Sequence, residues 1–92
     1  MTLNPKYTIH GSQHHHFGWD NSIAPALVAA PGDVVEFETI DSSGGQITAR
    51  SSVEDVAKLD FAKVNPVAGP VYIDGAKPGD AVKVTILSFT PS

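Results

Sequence analysis

Histidine is crowded into one short stretch of this chain. His14-His15-His16-Phe17-Gly18-Trp19-Asp20-Asn21-Ser22 holds three of the four histidines, the only tryptophan and an Asp-Asn pair. Successive side chains of an extended strand alternate between faces, so His14 and His16 share one side and His15 takes the other. Two imidazoles placed this way can grip one metal ion. Asp20 can add an oxygen after a turn at Gly18. Nitrogen and carboxylate donors together suit zinc or another divalent first-row ion with an open position for water. Water on such an ion has a lowered pKa and becomes a nucleophile near neutral pH. Plainer roles fit the same residues. Imidazoles hydrogen-bond at surfaces, Trp19 suits a pocket wall or a core, and Asp20-Asn21 suits an Asx turn.

Composition narrows the classes. A chain of 92 residues makes one small domain with a modest core, so a single domain over 1–92 is expected. Hydrophobic content of 41% against 17% charged residues marks a folding chain rather than a disordered one. The net charge is -4, and the acidic residues are spread along the chain, which argues against the basic face a nucleic-acid partner needs. Cysteine is absent, which removes disulfides, zinc ribbons and thiolate nucleophiles. The longest apolar run, 26–30, is far short of a membrane span. Residues 1–7 lack the charged-then-apolar order of a secretion signal. A cytoplasmic protein with no nucleic-acid or membrane partner is expected.

The elements that must position the histidine run are short. Seven prolines and eight glycines divide the chain, and no segment carries a long 3.6-residue apolar period. Two segments alternate instead. Over 33–40, Val35, Phe37 and Thr39 share a face, with Val34, Glu36 and Glu38 opposite. Over 81–89, Val82, Val84 and Ile86 share a face, with Lys83 and Thr85 opposite. Both read as strands. Shorter strands are expected at 7–10, 26–29, 46–49 and 71–73. Ser52 can cap one short helix over 53–58, with Glu54 and Asp55 in its first turn. Pro31-Gly32-Asp33 and Pro78-Gly79-Asp80 form a weak repeat. Proline then glycine favours a type II turn, and each such turn would feed a strand. The expected class is all-β, an antiparallel β-sandwich with at most one short helix.

A family likeness joins these pieces. His14-His15-His16-Phe17-Gly18-Trp19-Asp20-Asn21-Ser22-Ile23-Ala24-Pro25 resembles the opening signature of the acetamidase/formamidase family. Pro31-Gly32-Asp33-Val34-Val35-Glu36-Phe37-Glu38-Thr39 resembles its next segment. Asp41-Ser42-Ser43-Gly44-Gly45-Gln46-Ile47, then 64–76 and the strand at 81–89, follow in the family's order. The likeness spans nearly the whole chain, and 14–25 is its specific part. It implies hydrolysis of short amides such as formamide and acetamide to ammonia and a carboxylic acid. It also implies a β-sandwich of distorted jelly-roll character and a divalent metal near the active site. The positions that match are His14, His16, Asp20, Asn21 and, more weakly, Glu36. Donor chemistry makes His14, His16, Asp20 and Glu36 the expected metal ligands, with zinc the expected ion. Asp20 and Asn21 are the expected catalytic pair, Asn21 donating to the developing oxyanion. Members of the family are longer, and their later acidic and histidine-bearing segments should help build the site. An amino-terminal fragment or short homologue is therefore expected, completed by a homo-oligomer or a companion chain.

Other residues admit two uses each. The Asp41 to Gly45 loop reads as a connection or as a pocket lining, since glycine permits close backbone approach. Asn65-Pro66 and Gly69-Pro70 are turn signals first, and in the family-like context they can shape a binding edge. Asp74-Gly75 reads as a tight turn, and His10 as a packing or hydrogen-bonding residue. No Gly-x-Ser-x-Gly elbow or Ser-His-Asp order is present. Two non-catalytic classes stand beside the amidase: a colourless metal-binding sandwich, and an assembly module whose open strand edges pair with another chain.

Overall fold

Two turns of the same chemistry organise the computed structural model, which describes residues 4–91. Asp33 N–H donates to the Ala30 carbonyl at 3.0 Å, with Gly32 at φ +90°, the type II geometry that glycine takes without strain. The Asp33 carboxylate then accepts from Ala30 N–H at 2.8 Å. Residues 77–80 repeat this. Asp80 N–H reaches the Lys77 carbonyl at 3.0 Å, Gly79 sits at φ +95°, and the Asp80 carboxylate takes Lys77 N–H at 2.9 Å. Each Pro-Gly-Asp is thus a turn whose aspartate closes it from both ends.

The strands are β1 Tyr7–His10, β2 His15–His16, β3 Leu27–Ala29, β4 Val35–Glu38, β5 Val67–Ala68 and β6 Val71–Ile73. They pair two by two: β1 with β4, β2 with β5, β3 with β6. Only β2 and β5 are antiparallel. The β1–β4 and β3–β6 pairs are parallel, which corrects the antiparallel expectation. The turn at 31–33 reverses the chain locally, yet β4 finds its partner 28 residues back, with Tyr7 opposite Val35 and His10 opposite Glu38. Turn chemistry fixes a corner and not the strand that lies beside it. A mostly-strand, all-β chain with one short α-helix and one 3-10 turn is what forms, its described strands lying in three small two-stranded sheets.

The core lies where the parallel pairs bury one side chain each. Ile9 of β1 and Ala29 of β3 are the buried hydrophobic residues. Full burial of an isoleucine is worth roughly 1.5–3 kcal/mol, so this core is small. Gly11, also buried, lets β1 run on past His10: its N–H donates to the Glu38 carbonyl at 2.7 Å, and a Cβ there would collide with that same oxygen.

The helix forms where its cap predicts. α1 Val53–Ala57 has Ser52 as N-cap in a reciprocal box with Asp55, satisfying two orphan N–H groups at once. Lys58 is its C-cap. None of its residues is buried. No helix among the described residues is long and apolar enough to cross a membrane.

Two predicted strands do not form. At 46–49, side chains capture the backbone. Thr48 N–H donates to the Ser51 hydroxyl at 2.8 Å and Ser51 N–H to the Thr48 carbonyl at 3.0 Å, a local turn that competes with any ladder. At 81–89 the alternation is sound, but among the described residues no strand lies beside it. Of residues 1–7, whose order was read for a secretion signal, 1–3 lie outside the described residues.

Candidate functional site

The histidine run is placed by a turn and a short ladder. After β1, the N–H groups of Gln13 and His14 both donate to the His10 carbonyl, at 2.9 and 3.0 Å. The chain swings round and β2 lies antiparallel to β5, His15 opposite Ala68 and His16 opposite Val67. Gly69 N–H extends the pairing to the His14 carbonyl at 3.0 Å. Farther on, Ala26 N–H donates to the Pro70 carbonyl at 2.7 Å. Segment 14–26 is therefore stitched along segment 67–70 at both ends, and two crevices open between them.

His15 and His16 face different surroundings, as strand alternation requires. The His15 ring nitrogen Nδ1 lies 2.6 Å from the Gly11 carbonyl oxygen, and its ring stands edge-on to Phe17 at 5.5 Å. Those contacts occupy His15 structurally. His16 Nδ1 is buried with no hydrogen-bond partner. A buried polar atom without a partner costs about 1–3 kcal/mol, and native structures keep few of them. His16 lines the first crevice together with Trp19, Asn65 and Val67, in a volume of about 220 Å³. Trp19 is fully exposed, so it is a rim and not a core residue.

Asn65, expected as a turn residue that can shape a binding edge, stands at this crevice. Its φ is +54°, a left-handed conformation that asparagine tolerates better than most residues but that still costs energy. The Asp41 to Gly45 loop holds it there. The Asp41 carboxylate accepts from the Ser43 hydroxyl and N–H and from Gly45 N–H at 3.0 Å. Gln46 reaches across to residue 60, its Nε2 donating to the Asp60 carbonyl at 3.1 Å and its Oε1 accepting from Asp60 N–H at 2.8 Å. Asn65 N–H then donates to the Ser42 carbonyl at 2.7 Å. The Gly/Ser loop is a scaffold for Asn65, not a slack connection.

Asp20 and Asn21 line the second crevice with Pro70 and Tyr72. Asp20 Oδ1 accepts from the Ser22 hydroxyl at 2.6 Å and from Ser22 N–H at 2.9 Å. Those two bonds, the hydroxyl first, hold the carboxyl below the ordinary aspartate range. An exposed carboxylate made less basic in this way suits turn formation better than proton transfer at neutral pH.

The remaining expected ligands stand apart. Glu36 lies in the β1–β4 sheet, opposite Thr8, whose hydroxyl donates to it at 3.5 Å. His14 is exposed. Among the described residues no three His, Cys, Asp or Glu side chains gather into a group that could hold a metal. His10, outside both crevices, pairs with Glu38 across the strands at 2.6 Å.

The Acetamidase/Formamidase family model matches residues 3–92. The chain belongs to that family. A formamidase of Methylophilus methylotrophus is 36% identical over 72 residues, which is 78% of this chain and 18% of the relative. An acetamidase of Mycolicibacterium smegmatis is 34% identical over 76 residues, 83% of this chain and 19% of the relative. The crystal structure of an acetamidase from Bacillus halodurans superposes with a TM-score of 0.68 at 34% identity, covering 79% of this chain and 24% of that one. The chain therefore spans under a fifth of the length of the curated relatives it matches. Within this family member, the specific stretch 14–25 lines one wall of both crevices.

Proposed function

We propose that this chain supplies the amide-binding crevice of a hydrolase acting on short linear amides such as formamide and acetamide. The observation that carries the reading is the unpartnered His16 Nδ1 in a crevice shared with Asn65, in a chain of the acetamidase/formamidase family. The reaction adds water to the amide carbonyl carbon, breaks the C–N bond and releases ammonia and a carboxylic acid. His16 offers a buried ring nitrogen to orient the amide or the attacking water. Asn65 and Asn21 carry carboxamide donors suited to an oxygen that gains negative charge, an interaction strongest where water is excluded. Asp20 shapes the turn that presents Asn21. The proton donor and acceptor come from the part of the fold beyond the matched segment. Zinc assistance would likewise need donors from beyond this chain.

Grafting settles the reading. The chain is spliced into the Bacillus halodurans acetamidase in place of its matched segment, and ammonia release from acetamide and formamide is measured. The chimera is expected to be active, and His16→Gln to lower kcat/KM by roughly 10²-fold or more, the usual scale for loss of a positioned polar group. An active chimera indifferent to His16→Gln overturns the assignment.

A further inference from the structure

Gln46 lies outside the lining of both crevices, yet its carboxamide is engaged at both ends. Nε2 donates to the Ser43 carbonyl at 2.9 Å and to the Asp60 carbonyl at 3.1 Å. Oε1 accepts from Asp60 N–H at 2.8 Å. Asp60 N–H can only donate and the two carbonyls can only accept, so the network fixes which end of the carboxamide is which. The exchange with residue 60 copies the paired bonds of an antiparallel ladder, made here by a side chain. A carboxylate in its place would accept and not donate, and an apolar side chain would do neither.

Gln46 clasps the start of the segment that ends in Asn65. From Asp60 the chain enters a 3-10 turn, Phe61–Lys63, with Asp60 as its N-cap. The Asp60 carboxylate takes Ala62 N–H at 3.0 Å, and the Asp60 carbonyl takes Lys63 N–H at 3.0 Å. Gly44 lies against the Lys63 carbonyl, where an added Cβ would collide with the oxygen. Asn65 N–H then reaches the Ser42 carbonyl at 2.7 Å. Segment 60–65 is thus fixed to loop 41–46 at its start, middle and end. A residue other than glycine keeps a left-handed φ only where its surroundings over-determine it. These attachments do that for Asn65 at φ +54°, and all of them lie within residues 41–65.

We propose that Gln46 is a positioning residue for amide hydrolysis: its clasp on Asp60 sets the backbone of Asn65 and so the place of the Asn65 carboxamide in the His16 crevice. This rests on the reading of that crevice as the amide site. A donor for a developing oxyanion works only if it is placed before the charge appears. A displacement of about 1 Å costs about 10²-fold in rate. The loss falls on kcat more than on KM, because the donor serves the charged transition state more than the neutral amide.

The test has two readouts. In the whole 92-residue chain, NMR reads the strong intraresidue HN–Hα cross-peak that a positive φ gives Asn65. Gln46→Ala and Gln46→Glu are each expected to weaken it, and Asp33→Ala, which loosens a different turn, to leave it unchanged. Hydrogen-exchange protection retained at β1 and β4 shows that the variants fold. In the chimera with the Bacillus halodurans acetamidase, Gln46→Ala is expected to lower kcat for acetamide roughly 10²-fold with KM within about twofold. Asn65→Gly removes the carboxamide and takes the same φ without strain. Adding Gln46→Ala to Asn65→Gly is expected to cost nothing more, since a residue that acts through another has nothing left to act on. The proposal is overturned by an unchanged cross-peak, by an unchanged kcat, or by losses that add in the double variant. A chimera indifferent to His16→Gln overturns the amide reading and this proposal with it. Failure of the proposal alone is a chimera that needs His16 and ignores Gln46.

Discussion

At the scale of single residues, the three consecutive histidines have three fates, and strand alternation explains the first division among them. His15 turns back to the Gly11 carbonyl, His16 enters the crevice, and His14 stays exposed. Alternation could be read from the sequence; which face carries the crevice could not, because β5, 51 residues beyond β2, decides it. Asn65 was legible as a turn residue that can shape a binding edge; its positive φ and its N–H bond to the Ser42 carbonyl, 23 residues back, were not. Asp20 gives a direct test. Removing the hydroxyl in Ser22→Ala should let the Asp20 pKa rise toward the ordinary aspartate value, read by carbon NMR of the side-chain carboxyl. The sign follows from linkage: a carboxyl lowered in the folded state stabilises the turn above its unfolded pKa and loses that contribution as pH falls through the folded one. The window lies at and below the ordinary aspartate range, so Ser22→Ala should leave the turn unchanged in its pH response near neutrality. Gly69 gives a second test. It holds φ +131° and is buried against the His16 ring, whose Cε1 would lie 4.0 Å from an added Cβ. Gly69→Ala should cost about 1–3 kcal/mol, because no L side chain takes that conformation freely. Urea unfolding measures it, and an unchanged midpoint would mean the backbone there is relaxed.

Elements were legible in proportion to how local their causes are. Ser52 with Asp55, three residues apart, specifies the start of α1 from the sequence alone, and the helix appears where the cap places it. The two Pro-Gly-Asp turns were readable for the same reason. Strand partners were not, because pairing energy comes from residues far along the chain, and nothing near Val35 announces Tyr7. Residues 46–49 show the converse error. A short strand is expected there, but the hydroxyls of Thr48 and Ser51 satisfy the backbone locally first. The two equivalent turn aspartates then make unequal predictions. Asp33 closes the turn that feeds β4 and lies 3.6 Å from Lys6, so it joins two paired strands. Asp33→Ala should lower stability by about 1 kcal/mol, the scale of one side-chain bond to a turn N–H. Asp80→Ala makes the same chemical change at a turn whose following segment is unpaired. In the isolated chain it should move the urea midpoint little, and an equal loss at both positions would show that 81–89 is already engaged.

Taken whole, the molecule has more apolar surface than its strands can cover. Among the described residues the buried hydrophobic side chains are Ile9 and Ala29; they contribute only a few kcal/mol between them, and two-stranded sheets are marginal on their own. Stability of this chain must therefore lean on turns and caps, each of which acts locally, while the large apolar side chains of 82–89 are exposed. Composition could not reveal this, because an apolar fraction of 41% is the same whether the residues face inward or outward. An apolar dye separates the two arrangements. The native chain should bind such a dye without denaturant. Val84→Lys and Ile86→Lys should each weaken dye binding, because they place a charge on the exposed apolar face. Neither should shift the unfolding free energy by more than about 0.5 kcal/mol, the usual bound for a surface position. Were the same substitutions to destabilise the chain by several kcal/mol, these residues would belong to its core. The apolar dye would then have to bind around Trp19, at the rim of the His16 crevice, and Phe61, in the 3-10 turn Phe61–Lys63, whose large side chains are also exposed.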